Sequence, residues 1–162
     1  MNIEIICIGS LKESYLREAE NEYIKRLTPY CKVSVIELRE TRLPHGKGTA
    51  EEEEVRCREG EALLAAAERP GNTAFVFALD MRGRRQSSEM FAEQIQDLML
   101  GGKSTIVFLI GGSLGFSDAV RGKADAVLSF SEMTFPHQLM RVILLEQLYR
   151  AQKILRHEPY HK

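Results

Sequence analysis

Four stretches of this 162-residue chain hold residues whose types could do chemistry. The run Gly111-Gly112-Ser113-Leu114-Gly115 follows an apolar segment; paired glycines let a backbone come close to a flat or charged ligand and tolerate positive φ. No Gly-Lys-Ser/Thr follows it, which excludes a P-loop, and its spacing is not that of a dinucleotide fingerprint. A tight structural turn would use the same residues, so the run by itself leaves both readings open. The stretch Phe130-Ser131-Glu132-Met133-Thr134-Phe135-Pro136 mixes aromatic, small polar and apolar side chains where a surface loop would be polar. It suits an adenine slot, with apolar faces and backbone groups at the base edge; a loop plugging the core is the alternative. Asp80-Met81-Arg82-Gly83-Arg84-Arg85 gathers three cations after another apolar run, and the terminal Arg156-His157-Glu158-Pro159-Tyr160-His161-Lys162 gathers two histidines, a tyrosine and cations where chain ends ordinarily fray.

The elements that must position these residues follow from periodicity. Ile3 to Ile8 and Val33 to Leu38 read as strands; between them Tyr15, Leu16, Ala19, Tyr23 and Leu27 mark a helix from about Lys12, closed by Pro29. Arg42 to Lys47 reads as a loop, and Glu51 to Glu54 open a long polar helix, four carboxylates being favourable at a helix start. Pro70-Gly71-Asn72 is a turn. Ala74 to Leu79 reads as a buried strand and Asp80 to Gln86 as the loop after it. Ser87 and Ser88 cap a helix running to about Leu100 and stopped by Gly101-Gly102. Thr105 to Ile110, continuously apolar and β-branched, is a central parallel strand covered on both faces. A short helix capped by Ser117, a short strand Ala126 to Ser129, and a last helix from His137 to about Leu155, entered through Pro136, complete the chain. This alternation predicts one α/β domain over residues 1–162 with a mostly parallel sheet flanked by helices. In such sheets ligands bind beyond the C-terminal strand ends, where the first three of the four stretches fall.

Composition narrows the class. The formal net charge of −1 gives no support to unaided nucleic-acid binding, whose affinity comes from phosphate contacts. No apolar run approaches the roughly 18 residues of a membrane span, and Met1 to Ser10 lacks the features of an export signal. Cys7, Cys31 and Cys57 cannot all pair and form no CxxC, so three reduced, half-buried thiols in a cytoplasmic protein are expected, with no metal. The last helix is apolar well beyond one stripe, through Leu139, Met140, Val142, Ile143, Leu144, Leu145, Leu148, Ile154 and Leu155. A homodimer interface is the economical explanation; deep burial in one chain is the other.

LIGGSLGFS, LSFSEMTFPHQLMRVILLEQLYRA and the terminal EPYHK, with the LKESYLREAENEYIKRL helix, resemble the ribosomal RNA large subunit methyltransferase H family across essentially the whole chain. Its members are small SPOUT methyltransferases acting on N3 of a pseudouridine in 23S rRNA. The resemblance implies a SPOUT-type trefoil-knotted α/β domain, an exception to the rule against knots. It also implies a homodimer and S-adenosylmethionine bound by Leu79, Gly111, Phe130, Ser131, Glu132, Met133, Thr134 and Phe135. It further implies that the tail completes an active site near the other subunit's cofactor, making Tyr160, His161 and Lys162 working residues. His161 is then the natural acceptor of the N3 proton, with His137 as competitor, and Tyr160 would stack on or hydrogen-bond the base. Lys162, Arg82, Arg84, Arg85 and Arg141 are candidate contacts to RNA, and the small net charge points to an assembled ribosome or large subunit as the substrate. Two rivals are a phosphate-binding hydrolase built on Gly111-Gly112, which lacks a P-loop lysine and a nucleophile motif, and a non-catalytic ribosome-binding dimer.

Overall fold

A computed structural model describes residues 1–43, 48–68 and 73–161. The predicted turn at Pro70-Gly71-Asn72, most of the predicted loop ending at Lys47, and Lys162 lie outside the described residues. The elements run β1 (Asn2–Ile8), α1 (Ser14–Leu27), β2 (Lys32–Leu38), α2 (Thr49–Ala67), β3 (Ala74–Arg85), α3 (Ser88–Leu100), β4 (Thr105–Ile110), α4 (Asp118–Lys123), β5 (Ala126–Ser129) and α5 (His137–Leu155). The strands form one sheet in the order β2-β1-β4-β3-β5, every pair parallel.

Parallel strands need crossovers, and the crossovers cover both faces. On one face Ile3, Ile5, Phe77, Phe108 and Ile110 pack under α1, α3 and α5 through Leu27, Phe91, Ile95, Leu144, Leu145 and Leu148. On the other, Ile6, Ile8, Ala78, Val107 and Leu109 meet Leu63 of α2 and Val120 of α4. Alternate residues of one strand thus serve opposite layers, as a period of two requires. Register is held by ring contacts such as Phe77 against its partner Phe108, stacked at 5.1 Å. It is held again where Asp125 accepts from the Val76 amide at 2.8 Å as β5 begins.

The expected loop at Asp80–Gln86 is corrected: the strand continues to Arg85. Leu128 of β5 lies opposite both Leu79 and Arg84, so residues 80–83 are extra in the register and bulge. Exposed charged residues disguise this extension, because its pairing partner comes from far along the chain. At Gly83 a Cβ would lie 2.7 Å from backbone atoms of Val127 and Leu128, so only glycine fits where the extension passes β5.

Two smaller expectations change, the Ser117 cap and the likeness of the cysteines, while the entry into α5 through Pro136 holds. Ser87 caps α3, accepting from the Met90 amide at 3.2 Å, but Ser117 at the start of α4 makes no cap bond and its hydroxyl is buried without a partner. Pro136 takes the N-cap position of α5. The cysteines are all free, yet they are not alike: Cys7 and Cys31 are buried and Cys57 is exposed. In α5, Leu144, Leu145 and Leu148 are buried within the chain, whereas Leu139 is exposed and Val142 and Ile143 are half-buried.

Candidate active site

The C-terminal ends of β3, β4 and β5 open into a cavity of about 880 Å³, within the range of small-molecule sites. Leu79, Ile110 and Leu128 form its apolar floor. The loop from Gly111 to Phe116 makes one wall, and Phe130, Ser131 and Met133 to Pro136 make another. His137 and Met140 of α5 close one side, and α2 and α4 supply a charged rim.

Local hydrogen bonds shape both walls. The Gly115 amide donates to the Gly112 carbonyl at 3.1 Å, making a tight turn. Behind that turn a Cβ on Gly112 would lie 2.8 Å from Glu59 Oε2, and one on Gly111 would lie 3.2 Å from the Gly115 backbone and the Phe116 ring. The tight turn is therefore also a wall of the cavity. In the second wall Ser129 Oγ donates to the Ser131 carbonyl at 2.9 Å, and the Met133 amide donates to Ser131 Oγ at 3.0 Å. The loop is not a core plug: Glu132, Met133 and Thr134 are exposed.

The rim carries Arg56, Arg82 and Arg121 beside Glu53, Asp80 and Asp118. Arg121 donates to Asp80 at 3.0 Å and to the Phe116 carbonyl at 2.9 Å, and also bonds Asp118, which holds that carboxyl below its usual range. Arg56 pairs with Glu53 at 2.8 Å. Positive and negative charge are thus matched around the opening, a setting for a ligand that carries both.

Of the cofactor-binding residues expected from the resemblance, Leu79, Gly111, Phe130, Ser131, Met133, Thr134 and Phe135 come together at this cavity. Glu132 does not line it; its carboxylate turns outward to Arg85 at 2.8 Å. Arg82 lies at the mouth, and Arg84 and Arg85 are exposed on the β3 extension. Arg141 stands apart as a correction. Only 2% exposed, it donates to Glu37 at 2.7 Å, Glu20 at 3.1 Å and the Gly9 carbonyl at 3.1 Å, joining α5 to α1, β1 and β2. A buried guanidinium needs such partners, and they keep it from the surface where RNA would lie.

Among the described residues, the tail through His161 is neither frayed nor in its own chain's cavity. The amides of His157 and Glu158 donate to the carbonyls of Ile154 and Lys153, each at 3.0 Å, closing α5 with His157 at φ 54°. Glu158 accepts from Tyr30 at 2.8 Å and Lys153 at 2.5 Å, which holds its carboxyl below the usual range. The Tyr160 ring meets Tyr149 edge-on at 4.9 Å and its hydroxyl donates to Glu146 at 3.1 Å, while His161 sits between Glu89 and Arg150.

Sequence reasoning missed Glu59, a carboxylate only 4% exposed that accepts from the Thr41 amide at 2.9 Å and backs the glycine turn. A glutamate after Arg58 on a polar helix reads as solvated, and nothing local says that α4 will cover it. Burial raises its carboxyl above the ordinary value, more than the Thr41 bond lowers it. Stability from the protonated form is then present at low pH and lost as pH rises through the folded-state value. Glu59→Gln keeps the accepting oxygen and removes the desolvated charge. Its thermal midpoint should equal or exceed wild type at about pH 8, the gap closing toward about pH 4; an E59Q protein clearly less stable at the higher pH would contradict this.

An all-parallel α/β sheet with a ligand cavity at the ends of β3, β4 and β5 is the frame of a SPOUT-class domain, and a family described as "Predicted SPOUT methyltransferase" matches residues 1–161. Proteins named Ribosomal RNA large subunit methyltransferase H from Clostridium novyi, Carboxydothermus hydrogenoformans and Clostridium acetobutylicum are 52%, 51% and 50% identical over 162 residues, covering all of both chains. The chain belongs to the ribosomal RNA large subunit methyltransferase H family of SPOUT methyltransferases. SPOUT methyltransferases generally use S-adenosylmethionine.

Proposed function

We propose that this chain methylates large-subunit ribosomal RNA at N3 of a pseudouridine in 23S rRNA, with S-adenosylmethionine held in the cavity at the ends of β3, β4 and β5. The cavity carries the proposal. Its apolar floor suits a base face, its glycine turn lets backbone approach where a Cβ would collide, and its rim matches opposite charges. Leu79, Gly111, Phe130, Ser131, Met133, Thr134 and Phe135 would hold the cofactor, with Glu132 offering only its backbone. When bound, the cofactor supplies an already activated methyl group. What remains for the protein is to place the base, exclude water and receive the N3 proton.

No basic side chain of the tail lines the cavity of its own chain among the described residues, so the tail is assigned to a second copy's cavity in a homodimer. The incompletely covered Leu139, Val142 and Ile143 of α5 support that arrangement. In it Tyr160 contacts the base, His161 accepts the proton, and Lys162 contacts RNA; His137, which lines the cavity, is the alternative acceptor. Arg82, Arg84 and Arg85 would meet phosphate. The trefoil knot typical of the family is part of the proposal. No helix among the described residues is long and apolar enough to cross a membrane, and the proposed ribosomal substrate is a cytoplasmic one.

The test is methyl transfer to ribosomes from cells lacking this protein, with the modified nucleotide mapped by mass. Methyl at N3 of a 23S pseudouridine is expected, and no incorporation would refute the reading. With a net charge of −1 the protein should act faster on assembled particles than on naked 23S rRNA at matched salt. Equal rates would refute that preference.

A further inference from the structure

His161 is fixed from two sides by groups of opposite chemistry. Its Nε2 lies 2.6 Å from Glu89 Oε1, at the start of α3, and its Nδ1 lies 3.3 Å from Arg150 Nη1 on α5. Arg150 is in turn bonded to Glu146, which also accepts from Tyr160. A guanidinium only donates and an ionised carboxylate only accepts. In a neutral imidazole these partners leave Nδ1 bare and put the hydrogen on Nε2. Which nitrogen of a histidine acts as base is set by the bond the other one makes.

We propose that Glu89 is a positioning residue for the methyl-transfer reaction, holding the His161 ring in the tautomer that leaves Nδ1 free to take the proton from the target base. The inference rests on the tail acting in the reaction. The short Glu89 bond persists, and the longer Arg150 contact is the one that an incoming N3–H displaces. The methyl–nitrogen bond would form as the cofactor's methyl–sulfur bond breaks, leaving a neutral thioether, while the N3 proton passes to Nδ1 and His161 becomes a cation facing the Glu89 carboxylate. Glu89 suits this task because Ser87, its own amide and His161 keep its carboxyl ionised by holding it down at about 2. Stability does not explain the contact, since Glu89 is half exposed and exposed ion pairs add little.

Two substitutions separate positioning from a helix-start effect. Glu89→Ala and Glu89→Gln remove the same favourable charge from the first turn of α3, but the glutamine oxygen can still accept from Nε2–H. On ribosomes, E89A should lower kcat by about a hundredfold, the lower range for a lost general base, with unchanged affinity for S-adenosylmethionine. E89Q should recover most of that loss. Nitrogen NMR of labelled histidine, in proteins that also carry Arg150→Ala so that no other donor faces Nδ1, should show the Nε2–H tautomer at His161 with Glu89 or E89Q and its loss in E89A. Wild-type turnover by E89A, or E89Q falling as far as E89A, would overturn the proposal. An inactive H161A beside an unimpaired E89A would remove Glu89 alone, whereas full turnover by H161A would remove the tail from the reaction and Glu89 with it.

Discussion

A protein ending at Pro159 should bind S-adenosylmethionine as wild type does and transfer methyl at least about a hundredfold more slowly. Among the described residues, the tail contributes nothing to the walls of its own chain's cavity, so affinity has no reason to change. The residues proposed as acceptor of the N3 proton and as aromatic contact to the base, His161 and Tyr160, go together. The complementary lesion is Gly111→Leu. A Cβ there already lies 3.2 Å from the Gly115 backbone and the Phe116 ring, so a larger side chain must push the wall or fill the cavity. Calorimetry should show cofactor affinity reduced at least about tenfold, or about 1.4 kcal/mol. Mixing the two defective proteins in equal amounts with subunit exchange gives heterodimers in half the population, each with one intact cavity beside one intact tail. About one quarter of wild-type activity should return, as an isologous dimer with composite sites requires. No recovery would mean that each tail serves its own chain.

The second large effect is on the fold beneath the cavity. Gly83→Ala places a Cβ 2.7 Å from the backbone of Val127 and Leu128, where neither strand has a flexible side chain to move aside. Overpacking typically costs about 1–3 kcal/mol, and a collision with backbone belongs at the upper end. For a chain of this size that is a fall of roughly 6–12 °C in the thermal midpoint. Because β5 leads directly into Phe130–Phe135, cofactor binding should weaken as well. Gly122→Ala is the control. A Cβ there meets nothing within 4 Å, and the residue lies in α4, so the midpoint should hold or rise. A Gly83→Ala protein melting within a degree or so of wild type would show that the β3 extension does not press on β5.

Much of the architecture was legible because its causes are local. Thr105–Ile110 is apolar at nearly every position, which only a strand covered on both faces tolerates, and β4 is that strand at the centre of the sheet. Ser87 precedes a helix at cap spacing and caps it. The strand ends singled out by glycine, aromatic and small polar residues converge on one cavity. Asp80–Arg85 was not legible, since arginines read as a loop until β5 arrives to pair with them. Arg141 and Glu59 were not legible either, being charged residues on helices whose burial depends on what packs over them.

By itself the chain's order of residue types determined the alternation of strands and helices, the parallel sheet and the strand ends where a ligand must sit, because periodicity, capping and turn chemistry act over a few residues. Only the tertiary structure decided which charges lie inside, which groups flank the two nitrogens of His161, and that a run of arginines is a strand. Those outcomes depend on contacts between segments far apart in the chain, such as His161 with Glu89 and Arg84 with Leu128, and burial and hydrogen-bond partners exist only once such segments meet.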